Sequence, residues 1–129
     1  MDGFEGDAVF QNPARFIQEK LSKKVLSANT VRDGVMASFL IALQKQAEAE
    51  GKAIGEPERW REAKAGEIRK VASEAFALLA APFEYPTLSQ MKEATAEIER
   101  HYRWDRLDPA LRREHEETCR ALFLKFDGS

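Results

Sequence analysis

The chain contains a single cysteine, Cys119, among its 129 residues. No intramolecular disulfide can therefore form, and a lone thiol is typical of proteins in a reducing compartment. The β-branched residues Val, Ile and Thr number only 14, whereas Ala, Glu, Leu, Lys, Arg, Gln and Met number 74. This balance favours helix over strand. Gly and Pro together number 12, which excludes collagen-like chains and flexible linkers.

An excess of charge of one sign is also missing, because 20 basic and 22 acidic residues give a net charge of −2. The molecule as a whole has no strong field to attract nucleic acid or an acidic membrane, so such a role would need a local patch. The longest uncharged apolar stretches, 34–43 and 75–83, are about half the ~20 residues that span a bilayer. The acidic N-terminus lacks the apolar segment of a signal peptide. We therefore expect a cytoplasmic protein without membrane contact.

Capping residues and hydrophobic periodicity place the helices. Asn12-Pro13 and Asp108-Pro109 each combine an N-cap with a proline at the first helical position. The connectors between periodic segments are short, which favours antiparallel neighbours. The sequence therefore predicts an all-α fold, an up-and-down bundle of four to five helices that forms one domain, 12–129, after a mobile tail, 1–11. The predicted helices span approximately 13–27, 31–50, 57–81, 88–104 and 109–126.

The second predicted helix is the best candidate for a central position. Thr30 and Asp33 approximate a capping box at its start, and Gly51 suits a left-handed stop at its end. Between Val31 and Leu43 the helix has little polar surface, so we expect it to be buried on more than one side.

The two histidines do not form a recognisable metal site. A carboxylate-bridged di-iron site needs Glu three residues before His on two helices, but the positions before His101 and His115 hold Ile98 and Arg112. Glu97 lies four residues before His101, which supplies only a pair of ligands. We therefore expect neither a metal nor another cofactor.

The most specific enzymatic hypothesis concerns His115 and Cys119. The two residues are four apart, so a thiolate–imidazolium pair could form on one helix face. Both positions also belong to the hydrophobic stripe of the last helix, where a core histidine and a small buried cysteine are the commoner outcome. The sequence favours the core interpretation, and we predict no catalytic residues.

The segment Leu26 to Arg32 resembles the turn and the start of the recognition helix in bacterial helix-turn-helix proteins, where Ser-x-x-Thr-Val caps the reading helix. The resemblance implies that Asn29, Arg32 and Asp33 approach DNA bases. It covers about seven residues, and Val25 stands where the turn glycine is expected. Ordinary capping by Ser and Thr explains the same residues.

Two basic segments could contact an anion or a nucleic acid. If the fourth helix continues to residue 106, three arginines of that segment lie along one edge, and the neighbouring Tyr102 and Trp104 could stack bases. The first helix carries the least compensated basic patch in the chain. The predicted contact residues are Arg15, Lys20, Lys23, Lys24, Arg100, Arg103 and Arg106.

Large aromatic residues lie away from the helical stripes. Trp, Tyr and Arg are typical anchors of protein interfaces, although some of these residues could instead close the ends of the core. We predict that the protein is a small non-catalytic interaction or regulatory subunit that self-associates or joins a larger assembly, with nucleic-acid binding as the alternative. The predicted protein-contact residues are Trp60, Tyr85, Tyr102, Arg103 and Trp104.

Overall fold

The fold is an all-α helical bundle, as predicted. The computed structural model describes residues 11–51, 55–79 and 87–126. Predictions about the tail before residue 11, about residues 80 and 81 of the third helix and about Tyr85 concern residues outside these ranges. Within these ranges there are five α-helices: α1 (Pro13–Leu21), α2 (Ala28–Ala49), α3 (Pro57–Leu79), α4 (Leu88–His101) and α5 (Pro109–Leu124). A short 3-10 helix (Trp104–Arg106) precedes α5. None of the described helices is long and apolar enough to cross a membrane.

The boundary between α1 and α2 differs from the prediction. α1 ends at Leu21 instead of residue 27, and Val25 is 60% exposed. α2 begins three residues earlier than predicted, because Ser27, and not Thr30, is the N-cap and its side chain accepts a hydrogen bond from the Thr30 N–H. Leu26, between the two helices, instead donates its N–H to the Lys125 carbonyl at 2.7 Å.

The end of α4 also differs from the prediction. The helix stops at His101, and Arg103 adopts a left-handed conformation with φ 53°. This conformation costs a non-glycine residue energy, but it closes the helix and turns the chain into the 3-10 segment. The predicted single helix over 88–104 is therefore wrong in its last turn.

α2 is the central helix, as predicted. It packs closely against α1, α3 and α5. Eleven of its residues are buried, including Val31, Val35, Phe39 and Leu40, which are fully enclosed. Burial on several faces explains why this helix has few polar side chains between its first turn and Gln44.

The arrangement leaves α5 with an open seam on each side. α5 packs closely on α2, and α4 packs closely on α3. The close pairs of the described elements include neither α4 with α5 nor α1 with α5. The bundle surface is therefore concave at both seams beside α5.

Gly34 marks the tightest approach between α2 and α5. A Cβ at this position would lie 2.9 Å from both methyl carbons of Leu122, which is fully buried. We expect Gly34→Ala to lower the free energy of unfolding by about 1 kcal/mol, because overpacking a rigid core outweighs the gain in helix propensity. Urea denaturation measures the difference.

Gly66 on α3 provides the matched control. A Cβ there meets nothing within 4 Å, so we expect Gly66→Ala to stabilise the protein by about 1 kcal/mol through helix propensity alone. If both substitutions stabilise the protein equally, α2 and α5 are not as close as the structure indicates.

Candidate functional site

Trp104 is a core residue, which corrects its predicted role in protein contact. Its side chain is only 6% exposed. The ring lies edge-on to Phe39 at 4.9 Å between centroids and to His115 at 4.6 Å. The turn after α4 returns the chain onto α2, and the large apolar side chain of Trp104 is buried as a result.

The other predicted contact residues divide between the core and the surface. Trp60 and Tyr102 are half-buried and pack against the core, whereas Arg103 is exposed. The buried hydroxyl of Tyr102 has no hydrogen bond of normal geometry within the described chain. Burial, together with the Glu67 carboxylate, raises the pKa of Tyr102. Tyr85 lies outside the described residues.

The basic patch predicted on the first helix is partly compensated. Arg15 pairs with Glu19 at 3.1 Å, and the Lys20 ammonium lies 5.2 Å from the centre of the Phe16 ring. Lys23 and Lys24 are exposed in the turn after α1, and not on a helix as predicted.

Arg100, Arg103 and Arg106 do not share one helical edge. Because α4 stops at His101, the three residues lie on α4, on the turn and on the 3-10 helix, respectively. Arg100 forms an ion pair with Glu97. The edge expected from a helix continuing to residue 106 is therefore wrong.

The start of α2 differs in part from an exposed reading helix. Asp33 is buried and lies 3.4 Å from the Arg32 guanidinium, while Asn29 is exposed. α2 also packs closely against three other helices, whereas the helix-turn-helix resemblance implies a helix that lies in a DNA groove.

No metal centre forms in the part of the chain that the structure describes, where no three His, Cys, Asp or Glu side chains converge on one point. Glu97, one member of the predicted pair with His101, is engaged by Arg100. Because Arg100 already pairs with Glu97, Glu97 and His101 do not provide a preformed cation site.

A buried hydrogen-bonded chain joins α2 to α5. The Ser38 hydroxyl lies 2.7 Å from His115 Nδ1, and Cys119 Sγ lies 3.4 Å from His115 Nε2. Ser38 is the only polar residue in the apolar run 34–43, which is the signal that could have singled it out from the sequence. The core histidine therefore bonds to side chains from two helices.

The electrostatics of this chain oppose a thiolate. Burial lowers the pKa of His115 to about 4, and a hydrogen bond with the Ser38 backbone partly offsets this shift. Burial also raises the pKa of Cys119, and the carboxylates of Glu99 and Glu116 raise it further. Both groups are neutral at neutral pH, and the thiol is only 5% exposed. The pair is thus the core arrangement that the sequence favours, and the accessible low-pKa thiol of the enzymatic hypothesis is not found here.

The seam between α4 and α5 encloses a cavity of about 280 Å³. Leu88 from α4 and Phe123 and Leu124 from α5 form its apolar end, and Cys119 lies at its base. Leu124 is 81% exposed, one of only two large hydrophobic residues so exposed among those described. Sequence reasoning assigned none of these residues to a surface site, because the spacing within each helix does not show whether two helices meet.

Charged side chains border the same cavity in a definite order. Lys92 and Glu99 lie on the α4 side, and Glu116 and Arg120 lie on the α5 side. Within the described ranges, none of the four has an ion-pair partner. Burial and the nearby Glu116 raise the pKa of Glu99, with Arg100 opposing. Two carboxylates thus lie near each other at the seam, and neither has an ion-pair partner among the described residues.

The seam between α1 and α5, floored by α2, holds a larger cavity of about 580 Å³. Its walls are mainly aliphatic, and Ser38 and His115 contribute polar atoms to its lining. His115 therefore borders both cavities, one on each side of α5.

No protein-family model, curated protein or solved structure matches this chain. A functional assignment therefore depends on the geometry of the two seams.

Proposed function

We propose that this protein is a non-catalytic interaction subunit that binds a second copy of itself through the α4–α5 face. This face comprises the cavity between α4 and α5 and its charged border. The observation that carries the proposal is the charged border of the cavity, where Glu99 and Glu116 lie near each other and Lys92 and Arg120 lie further along the same face. None of the four has an ion-pair partner among the described residues. An apolar cavity with an exposed leucine at its edge is a typical site for a protein partner.

The order of charges makes the α4–α5 face self-complementary. Glu99 and Glu116 lie near each other, and Leu88 and Leu124 line the other end of the cavity, so the two helices run antiparallel. Lys92 lies about 10 Å from Glu99 along α4, at 1.5 Å per residue. Arg120 lies about 6 Å from Glu116 along α5. Each copy therefore presents its two carboxylates at one level along the helices, the acidic level, and its two cations at a second level, the basic level.

A two-fold axis through this face satisfies the charges of both copies. If the axis passes between the two levels, the acidic pair of each copy faces the basic pair of the other, as an isologous interface requires. The predicted role of Arg103 in protein contact lies outside this face and stays a prediction.

Charge reversal tests the proposal directly. At concentrations on the order of 100 µM, well above a micromolar Kd, sedimentation equilibrium should give twice the 14.6 kDa mass of the chain. The variants Lys92→Glu with Arg120→Glu, and Glu99→Lys with Glu116→Lys, should each be monomeric, because each presents charge of one sign. Their equimolar mixture should again give the dimer mass.

The matched control is Lys23→Glu with Lys24→Glu, which makes the same change in net charge on exposed residues away from the cavity. This variant should remain dimeric. A monomeric wild-type protein would overturn the proposal. Dimers that persist in both reversed variants would place the interface elsewhere.

Nucleic-acid binding through Arg15, Lys20, Lys23 and Lys24 of the predicted first helix, together with the Arg100–Arg106 segment, stays a prediction. It requires a steep loss of affinity with salt, because each phosphate contact releases counterions.

A further inference from the structure

The larger cavity, between α1, α2 and α5, has the dimensions of a small-molecule site. Its volume of about 580 Å³ falls within the range of about 300–1,000 Å³ that is usual for ligand pockets. Ile17 and Leu21 from α1, Ile41 from α2 and Leu111 from α5 supply aliphatic walls. The cavity exists because α1 and α5 both pack on α2 without packing closely on each other.

A buried hydroxyl gives this cavity a specific polar contact. Ser38 is 96% buried, since 4% of its surface is exposed, and it contributes to the cavity lining. A serine hydroxyl offers one donor and two acceptor positions. The 2.7 Å bond to His115 Nδ1 uses one of them, and the Cys119 thiol is a second polar neighbour of the hydroxyl. One position then remains for a ligand hydroxyl or carbonyl group, and the His115 tautomer decides whether it is the donor or an acceptor.

The charges around the cavity disfavour an ionic ligand. Lys45 is the one cation among the described lining residues, and it pairs with Glu114 at 3.2 Å. Glu117 adds a negative charge at the border. His115 is neutral at neutral pH because burial lowers its pKa to about 4. A ligand carboxylate would therefore find no available cation. A ligand ammonium would find the Glu117 carboxylate only at the border, and against the aliphatic walls it would lose its hydration.

We propose that the α1–α2–α5 cavity binds a small, neutral, mainly aliphatic molecule that carries a hydroxyl or carbonyl group, with Ser38 as its polar contact. The apolar body of the ligand covers Ile17, Leu21, Ile41 and Leu111, and its oxygen bonds to the Ser38 hydroxyl. This site lies on the opposite side of α5 from the α4–α5 face and does not depend on self-association.

A fluorescent probe tests the site in the full chain. N-phenyl-1-naphthylamine is neutral, apolar and carries one N–H donor, and its emission rises in an apolar environment. We expect saturable binding to the wild-type protein. Competition with 1-decanol, decanoate and decylammonium, each below its aggregation concentration, then identifies the ligand class. 1-Decanol should displace the probe at a concentration at least about ten-fold lower than either ion, because an ionised head group costs more to bury than a hydroxyl.

Ala121 borders the cavity on α5 and allows the site to be filled without touching the core. Ala121→Phe should reduce probe binding more than about ten-fold, since the new ring occupies the ligand volume. The matched control is Ala110→Phe, an exposed position on the same helix outside the cavity lining, which should bind the probe normally. Ala121→Phe should also retain the dimer mass, which separates this test from that of the α4–α5 face.

Ser38→Ala probes the polar contact. Loss of one hydrogen bond should weaken competition by 1-decanol about five-fold. If this variant does not fold, because His115 loses its partner, the Ala121→Phe result still decides the proposal. Unsaturable fluorescence, unchanged binding to Ala121→Phe, or equal displacement by decanoate would each overturn it.

Discussion

Replacing Phe39 by alanine is expected to lower the free energy of unfolding by about 3–5 kcal/mol, the range for removing a fully buried aromatic side chain. Phe39 is completely enclosed on α2. Its ring contacts Trp104 at 4.9 Å and His115 at 4.2 Å between centroids. The substitution therefore leaves a cavity at the point where α2, α5 and the 3-10 segment meet. Because a domain of this size has about 5–15 kcal/mol of stability in total, the variant should be close to unfolding at 37 °C.

Chemical denaturation followed by circular dichroism measures this loss. The control is Val25→Ala, which truncates an exposed hydrophobic residue and should change stability by less than about 0.5 kcal/mol. Phe39→Leu should fall between the two, since it keeps much of the volume but loses the aromatic contacts. A loss below about 1 kcal/mol for Phe39→Ala would mean that the aromatic cluster does not centre on this ring.

Acidification should destabilise the protein through His115. Burial lowers its pKa from 6.5 to about 4 in the folded state, so the unfolded chain binds the proton more tightly. Stability from this group is present above pH 6.5 and is lost as the pH falls toward 4. The complete effect is about 3 kcal/mol, at 1.36 kcal/mol per pKa unit. Between pH 7.5 and 5.5 the expected loss is about 1.3 kcal/mol.

The comparison with His115→Gln isolates this contribution, because the carboxylates titrate similarly in both proteins. Urea denaturation between pH 7.5 and 5.5 should show that the free energy of unfolding falls less steeply with decreasing pH in the variant than in the wild type. His101→Gln is the matched control, since His101 is exposed, and it should retain the wild-type slope. Equal slopes for wild type and His115→Gln would show that His115 is accessible to water.

Local signals placed the helices well but fixed their ends less well. Asn12, Asp108 and the prolines that follow them cap α1 and α5 as the sequence predicts. α1 ends early because Leu26 bonds to Lys125, about a hundred residues away in the chain. The residue pattern within 13–27 does not indicate this contact, because Lys125 lies outside that segment.

The candidate sites were harder to predict than the helices. Trp104 fitted the composition of an interface anchor, yet the turn at Arg103 places it in the core. No pattern in the sequence singles out Leu124, which is exposed at the edge of the α4–α5 cavity. Residue type and spacing describe one helix at a time, whereas burial depends on which helices lie beside it.

The sequence by itself determined the all-α class, the central position of α2 and the core character of His115 and Cys119, because helix propensity, capping and hydrophobic periodicity are local properties. Only the tertiary structure decided that α5 packs on α2 with an open seam on either side. It also brought Ser38 to His115 across 77 residues and Glu99 to Glu116 across two helices. These juxtapositions depend on how the helices are packed in three dimensions, which the amphipathic pattern of each separate helix does not specify.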